Sequence, residues 1–381
     1  MDKGERRPVS GRIKEVVVMH ASLPLRVKFR HAITSRSESE SVFVKVTLGN
    51  NTTGYGESLP REYVTGENAA SCAEELAGVA KRRVIGGALK RYNEIFQFMD
   101  SLAFKGNAAR CALELALIDA YGKFFNSPVS SVIGGPARGR VIYSGVIQAG
   151  SMLDAMMLAM AFRALGLSYI KVKVGVGDDM KRLKVVRAIC GRAANIRVDA
   201  NCAWRADEAI KKIGAFREYG ITAVEQPVAA ADLDGLKKVS DAVPETVIAD
   251  ESLCTVSDAQ HLARIRACGM FNIRLSKCGG LSNSLKIARI AHDNGIGVQV
   301  GCQVGESGIL SAAGWHFARL FKDALFCEGS YGRYLLREDV TKEDITIRRG
   351  GAIEDLGGPG LGVNIREDIL NKYAVWKDVI R

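Results

Sequence analysis

The 381-residue sequence predicts an α/β fold, a modified TIM (β/α) barrel with an α+β N-terminal capping domain. Three observations carry this expectation. From residue 141 onward, eight short apolar runs recur. Between most of them lie segments of helical length whose apolar residues repeat every 3.6 positions, several ending at Gly. At the ends of seven runs stand polar or charged residues separated by a nearly constant 25–27 positions.

The elements follow in chain order. Residues 1–140 mix runs such as IKEVVVMHASLPL and SVFVKVTLGNNTTGYGES with the apolar helical stretch AARCALELALIDAYGKFF, which reads as an α+β capping domain. Residues 141–345 form the catalytic barrel, with strands expected at VIYSGVI, IKVKVGV, IRVDA, AVEQP, TVIADE, FNIRLSK, GVQVGC and LFCEG. Helices are expected between them, the stretch DLDGLKKVSDAV being the shortest and weakest. A doubly wound open sheet is the rival fold, but it calls for GxGxxG after an early strand, and the Gly pairs here do not match. Residues 346–381 return to the capping domain, with ITIRRGGAIEDLGGPGLGV expected as a hairpin and a Gly-rich turn.

Composition narrows the class. At 47% hydrophobic and 25% charged the chain has ample core for a globular protein. No apolar run approaches the roughly 18 residues of a membrane helix, and no signal-like apolar stretch follows the charged start, so a cytoplasmic protein without membrane contact is expected. The nine cysteines form no CxxC pair and are expected as reduced thiols. The net charge of +11 raises the question of a polyanion partner, and residues 1–36 hold nine basic side chains against three acidic ones. No zinc-finger, RNP or helix-turn-helix pattern accompanies that excess, so no nucleic acid is expected and an anionic small substrate suits the charge as well.

A parallel barrel presents the C-terminal ends of its strands to one face, where catalytic groups gather. The residues in step there are Lys173, Asp199, Glu225, Asp250, Lys277, Gln303 and Glu328. Asp199, Glu225 and Asp250 would repel one another in a site of low dielectric unless a cation joined them. Oxygen ligands without His or Cys point to Mg²⁺, with Mn²⁺ as the other choice, rather than zinc. The alternative is that these acids form salt bridges with Lys171, Lys173 and Lys277 and tie neighbouring strands together. A buried amine near other cations can titrate at about 7–8 and serve as a general base, which makes Lys173 and Lys277 candidates on opposite faces of a substrate. Lys171, two positions from Lys173, shares its face and would bind an anionic oxygen. All five His residues fall outside the strand ends. Cys202, Cys278, Cys302 and Cys327 lie at or past strand ends without paired spacing and are expected as small buried fillers.

The motifs IKVKVGV, VDAN, VEQP, IADES and LSKCGG, in this order and spacing, resemble the enolase superfamily, and within it the muconate-lactonizing-enzyme subgroup. The segments ALELALIDAYGKFFNSPVSSVIGG and GPGLGV extend the resemblance over essentially the whole chain. It implies Asp199, Glu225 and Asp250 as ligands of Mg²⁺, and Lys173 and Lys277 as the acid–base pair with Lys171 as partner of Lys173. It also implies that Mg²⁺ binds a small carboxylate substrate, whose α-proton leaves to give an enediolate. The implied enzyme is an isomerase: a racemase or epimerase of an amino-acid derivative or dipeptide, or a muconate-type cycloisomerase. A dehydratase of a hydroxy acid, or a non-catalytic polyanion-binding barrel, are the rivals. Dipeptide epimerases carry Asp-x-Asp on strand eight, where this chain has Cys327-Glu328-Gly329-Ser330, so Glu328 is expected to hold one polar substrate group. Arg30 and Arg61 lie in segments that resemble the loops closing over the barrel and are candidate anion clamps. Nothing in the sequence excludes a homo-oligomer.

Overall fold

The computed structural model describes residues 11–30, 35–135, 139–321, 324 and 326–381, without the side chains of residues 27–30, 35 and 36. Three N-terminal strands, β1 (Ile13–Arg30), β2 (Ser35–Leu48) and β3 (Thr53–Ser58), pair antiparallel, and the last strand, β11 (Ala374–Ile380), pairs antiparallel with β1. The sheet order β11-β1-β2-β3 thus joins the two ends of the chain. Its inner face rests on the helix Asn107–Phe124, buried along nearly its whole length. The approach is very close. A Cβ on Gly54 would stand 2.0 Å from Ala120 N, and one on Gly56 would stand 2.0 Å from Ala112 O. Alaninyl residues at 112, 116 and 120 complete the fit, so the sequence pairs glycines on the strand with alanines on the helix.

The second sheet is parallel, with β4 (Gly145–Ile147), β5 (Tyr169–Lys173), β6 (Asn195–Asp199), β7 (Ile221–Glu225), β8 (Thr246–Ala249), β9 (Met270–Ile273) and β10 (Gly297–Val300) side by side in chain order. The expected eighth strand shrinks to one bridge, Cys327 to Val300, because Gly329 and Ser330, at φ values of 127° and 57°, turn the chain out of the sheet. That bridge still closes the ring: Cys327 O accepts from Ser144 N at 2.8 Å, just before β4. The barrel class expected from the sequence therefore holds. Amphipathic helices cover the outside, including Leu233–Ala242 in the stretch that reads as weakest, whose N-terminus is capped by Asp232. A plug of Ala223, Ile248, Met270 and Phe326, with Tyr169 beside it, fills one part of the interior, and polar side chains fill the rest.

Two expectations need correction. FNIRLSK is not strand to its end: β9 stops at Ile273, and Leu275–Cys278 forms a helical turn closed by Gly279 at φ 86°. The hairpin expected in ITIRRGGAIEDLGGPGLGV is absent, and the segment runs irregularly around a single 3₁₀ turn at Arg349–Gly351. Its Gly-rich end docks on the buried helix instead, Leu361 N donating to Asp119 Oδ1 at 3.0 Å.

Candidate active site

Register places the site. Lys173 pairs with Asp199 and Asp199 with Glu225 on neighbouring strands, and Asp250 directly follows β8. Side chains alternate along a strand, so residues two apart share a face. Lys171 and Lys173 accordingly both reach Asp199: Lys171 Nζ lies 2.9 Å and Lys173 Nζ 2.8 Å from Asp199 Oδ2. Lys171 Nζ also meets Glu225 Oε1 at 2.8 Å and Glu328 Oε1 at 3.0 Å. Lys173 Nζ donates a second bond to Asn201 Oδ1 at 2.6 Å. On the far side of the barrel mouth, the helical turn after β9 sends Lys277 Nζ to Asp250 Oδ1 at 2.8 Å, Asp250 O at 2.6 Å and Asn272 O at 3.0 Å.

The structure thus brings Lys171, Lys173, Asp199, Glu225, Asp250, Lys277 and Glu328 together. All are buried, and the salt bridges foreseen as the alternative are present. Two arginines that the spacing argument missed join them. Arg274 pairs with Asp250 and lies 3.5 Å from Glu225 Oε1, and Arg197 pairs with Glu328 and donates to Ser144 Oγ at 3.0 Å. Arg197 sits two residues before Asp199 and therefore on its face, and Arg274 stands two residues after inward-facing Asn272. Alternation within the strands, rather than spacing between strand ends, is the signal that finds them. Three amides were also missed: Asn272 and Gln299 donate to Glu225 at 2.9 and 2.8 Å, and Gln226 Oε1 accepts from the backbone N of Asp250 and Ser252.

These contacts correct the argument from repulsion, because the three carboxylates already face four protein cations, Lys171, Lys173, Arg274 and Lys277. Burial works against ionisation of Asp199, but Lys171 and Lys173 outweigh it and hold the carboxyl well below its usual range. Burial likewise opposes the Lys171 charge, and Asp199, Glu225 and Glu328 together hold its pKa above the ordinary lysine value. For Lys277 burial prevails, with Arg274 adding repulsion, and the amine is held below its ordinary value.

Glu328 is engaged by the protein's own cations. Arg197, Lys171 and Gln299 surround its carboxylate, and although burial raises its pKa, the cations hold it at about 2. It belongs to the barrel's internal charge network. Arg61 is buried as well, donating to Glu40 O at 3.1 Å, Pro60 O at 2.9 Å and Val304 O at 3.0 Å, so it fastens the cap to the barrel. The Arg30 side chain lies outside the described residues. Of the four strand-end cysteines, Cys278 and Cys327 are buried and Cys202 and Cys302 half-buried, and none of the four is in a disulfide.

Among the described residues, no three His, Cys, Asp or Glu side chains stand as a ready metal cage. The donor chemistry nevertheless suits a hard cation. Three carboxylates meet at adjacent strand ends, and three buried oxygens beside them, Glu251 Oε2, Asn272 Oδ1 and Gln299 Oε1, have no hydrogen-bond partner. Burial and the Asp199 charge push Glu251 up, as expected of an acid lacking a cation.

Comparison with known proteins bears on the family. The mandelate racemase / muconate lactonizing enzyme N-terminal domain matches residues 13–134, and the enolase C-terminal domain-like region matches residues 155–369. The chain belongs to the enolase superfamily, muconate-lactonizing-enzyme subgroup. An L-Ala-D/L-Glu epimerase of Clostridium acetobutylicum is 31% identical over 92% of this chain and 98% of its own. The N-succinyl Arg/Lys racemase of Bacillus cereus superposes with a TM-score of 0.88 at 29% identity, covering 97% of this chain and all of that one. A dipeptide epimerase of Cytophaga hutchinsonii, complexed with Mg and D-Ala-L-Val, gives 0.88 at 26% over 97% of this chain and all of that one. These relatives are isomerases, in agreement with the enzyme class that this superfamily member's sequence implies. Among the described residues no helix is long and apolar enough to cross a membrane.

Proposed function

We propose that the protein is a Mg²⁺-dependent isomerase that moves the α-proton of a small carboxylate, racemising or epimerising an amino-acid derivative. The observation that carries this reading is the placement of two buried amines, Lys173 on β5 and Lys277 beyond β9, on either side of Asp199, Glu225 and Asp250. β5 and β9 are separated by three strands within the closed ring, so the amines approach a central substrate from opposite faces.

In this reading Asp199, Glu225 and Asp250 would hold Mg²⁺. When bound there, Mg²⁺ supplies Lewis-acid stabilisation of the substrate carboxylate as negative charge develops. Lys277, its pKa lowered by burial, takes or returns the proton on one face of the α-carbon at Nζ. Lys173 Nζ does the same on the other face, and Asn201 fixes its direction. Lys171 remains charged among Asp199, Glu225 and Glu328 and adds fixed positive potential where the carboxylate develops charge. Gln226 holds the backbone at Asp250 and keeps the third acid in place. The cap, fastened through Arg61 and Ser39, closes the mouth against water.

The Mg complex of the Cytophaga epimerase supports the choice of metal, and the racemase and epimerase relatives support the reaction class. The reading is tested by incubating N-acylamino acids and dipeptides with the protein and Mg²⁺ in D₂O. Deuterium should enter the α-carbon, and removing Mg²⁺ with a chelator should stop it. A protein that gives no α-deuterium with any member of that panel is not this isomerase.

A further inference from the structure

Around the barrel the outer helices turn charge to water: Asp179–Cys190 exposes Lys181 and Lys184, Ala206–Phe216 exposes Asp207 and Glu208, and Leu281–Asp293 exposes Lys286 and Arg289. The helix Met152–Ala164, between β4 and β5, does the opposite. Leu153 is 63% exposed, Met156 37%, Met157 49% and Met160 51%, and the neighbouring positions on that side, Ala161 and Ala164, are exposed too. Its two charged residues, Asp154 and Arg163, stand near opposite ends. The row is not the face that packs on the barrel. Ala155 and Ala159 are buried on the inner side, and Phe162 lies over β4, where a Cβ on Gly145 would stand 2.6 Å from its ring. A helix wet on one side is ordinarily polar there, so an uncharged row of four large apolar side chains marks a surface that something covers.

The pattern of the row says what covers it. Leu153, Met157, Met160 and Ala164 are spaced four, three and four residues apart, which lines them up along one seam, and that spacing is the same read from either end. A second copy turned end for end about a two-fold axis therefore offers a matching row. In that arrangement Leu153 faces the partner's Ala164, large against small, and Met157 faces the partner's Met160, two flexible thioethers that adapt to one another. Charge favours the same orientation. Antiparallel helices set the acidic end at Asp154 beside the basic end at Arg163, whereas parallel ones would bring like charges together and align the helix dipoles. The area suits a dimer as well: the four large side chains expose roughly 350 Å² of apolar surface, which serves as the dry centre of the about 800 Å² that each partner gives up in a stable interface.

We propose that the helix Met152–Ala164 is the centre of a two-fold interface between two copies of this chain, packed antiparallel along Leu153, Met157, Met160 and Ala164. Sedimentation equilibrium of the full chain at micromolar concentration should give twice the 41.2 kDa of one copy, or an even multiple of it. Met157→Glu, which buries two carboxylates against apolar side chains, should raise the dissociation constant of this contact at least about a hundred-fold and halve the mass. Its far-ultraviolet circular dichroism should stay unchanged, because the site is exposed in the single chain. Cross-linking makes the test independent of the charge introduced. Air oxidation of a mixture of Met157→Cys and Met160→Cys chains should join the two variants above the wild-type background. Leu153→Cys chains alone should stay unjoined, since an antiparallel seam holds the two copies of that position about 16 Å apart, beyond disulfide reach. A monomeric wild type, whether free or floating with phosphatidylcholine vesicles, overturns the interface, as does a Met157→Glu chain that keeps the wild-type mass. Joining of Leu153→Cys chains to one another would contradict the antiparallel seam.

Discussion

At the scale of single residues, the barrel interior is a balance of charges rather than a row of acids awaiting a metal. Glu328 illustrates the consequence. Removing it takes from Arg197 its buried ion-pair partner and from Lys171 one of three, and breaking such a buried pair costs about 3–5 kcal/mol. Glu328→Ala is therefore expected to lower the thermal midpoint and to depress turnover of every substrate alike, which a melting curve with parallel kinetics on charged and uncharged substrates would check. A loss confined to one substrate class would return Glu328 to a recognition role. Gln226 acts more gently: Gln226→Ala releases the backbone of Asp250 and Ser252 and should weaken Mg²⁺ binding roughly ten-fold, read by calorimetry. The candidate acids and lysines were legible because successive βα units return to the same height every 25–27 residues. Arg197 and Arg274 were not, because that spacing compares only one position per strand. Of the partners of Glu328, Lys171 was legible in the sequence and Arg197 and Gln299 were not.

At the scale of elements, the contact between β3 and the helix Asn107–Phe124 depends on two glycines with no room for a methyl group. Gly56→Ala would put a carbon 2.0 Å from Ala112 O, so the strand or helix must shift, and overpacking of this kind costs about 1–3 kcal/mol or more. Denaturant titration should show that loss, and wild-type stability in Gly56→Ala would contradict the close packing. Glu57, next along β3, ends at the start of the helix Gly308–Ala318, where it accepts from Ser307 N, Ser307 Oγ and Leu310 N. Burial nonetheless pushes its pKa from 4.5 to about 7. A raised acid binds its proton more tightly when folded, so its contribution to stability is complete below pH 4.5 and fades as pH rises to 7. The span corresponds to about 3 kcal/mol. Stability measured from pH 4.5 to 8 should fall more steeply in the wild type than in Glu57→Gln, and identical slopes would place the proton elsewhere. The sequence reveals helices and strands by periodicity, but not where a strand surrenders to a turn. Lys277 shows this, since Gly279 in a left-handed conformation closes a helical turn that apolar patterning reads as strand.

At the scale of the whole molecule, cap and barrel form one device. The antiparallel sheet unites both ends of the chain, the buried helix joins that sheet to the barrel, and Glu114 on this helix accepts from Ser282 N at 2.9 Å at the start of a barrel helix. The catalytic reading depends on this assembly, because the three candidate metal-ligating acids stand at the ends of three strands, while the two amines come from β5 and from the helical turn after β9. Glu225→Gln, which keeps the shape but removes the central charge, should abolish turnover and weaken Mg²⁺ binding at least about ten-fold with an unchanged circular-dichroism spectrum. Retention of wild-type Mg²⁺ dependence would put the metal elsewhere. The central claim, two amines serving opposite faces of one α-carbon, is tested most directly by following deuterium entry from D₂O into each pure stereoisomer of a turned-over substrate. The wild type should exchange both isomers, Lys173→Ala only one of them, and Lys277→Ala only the other. Exchange of both isomers at the wild-type rate in either variant would contradict the account.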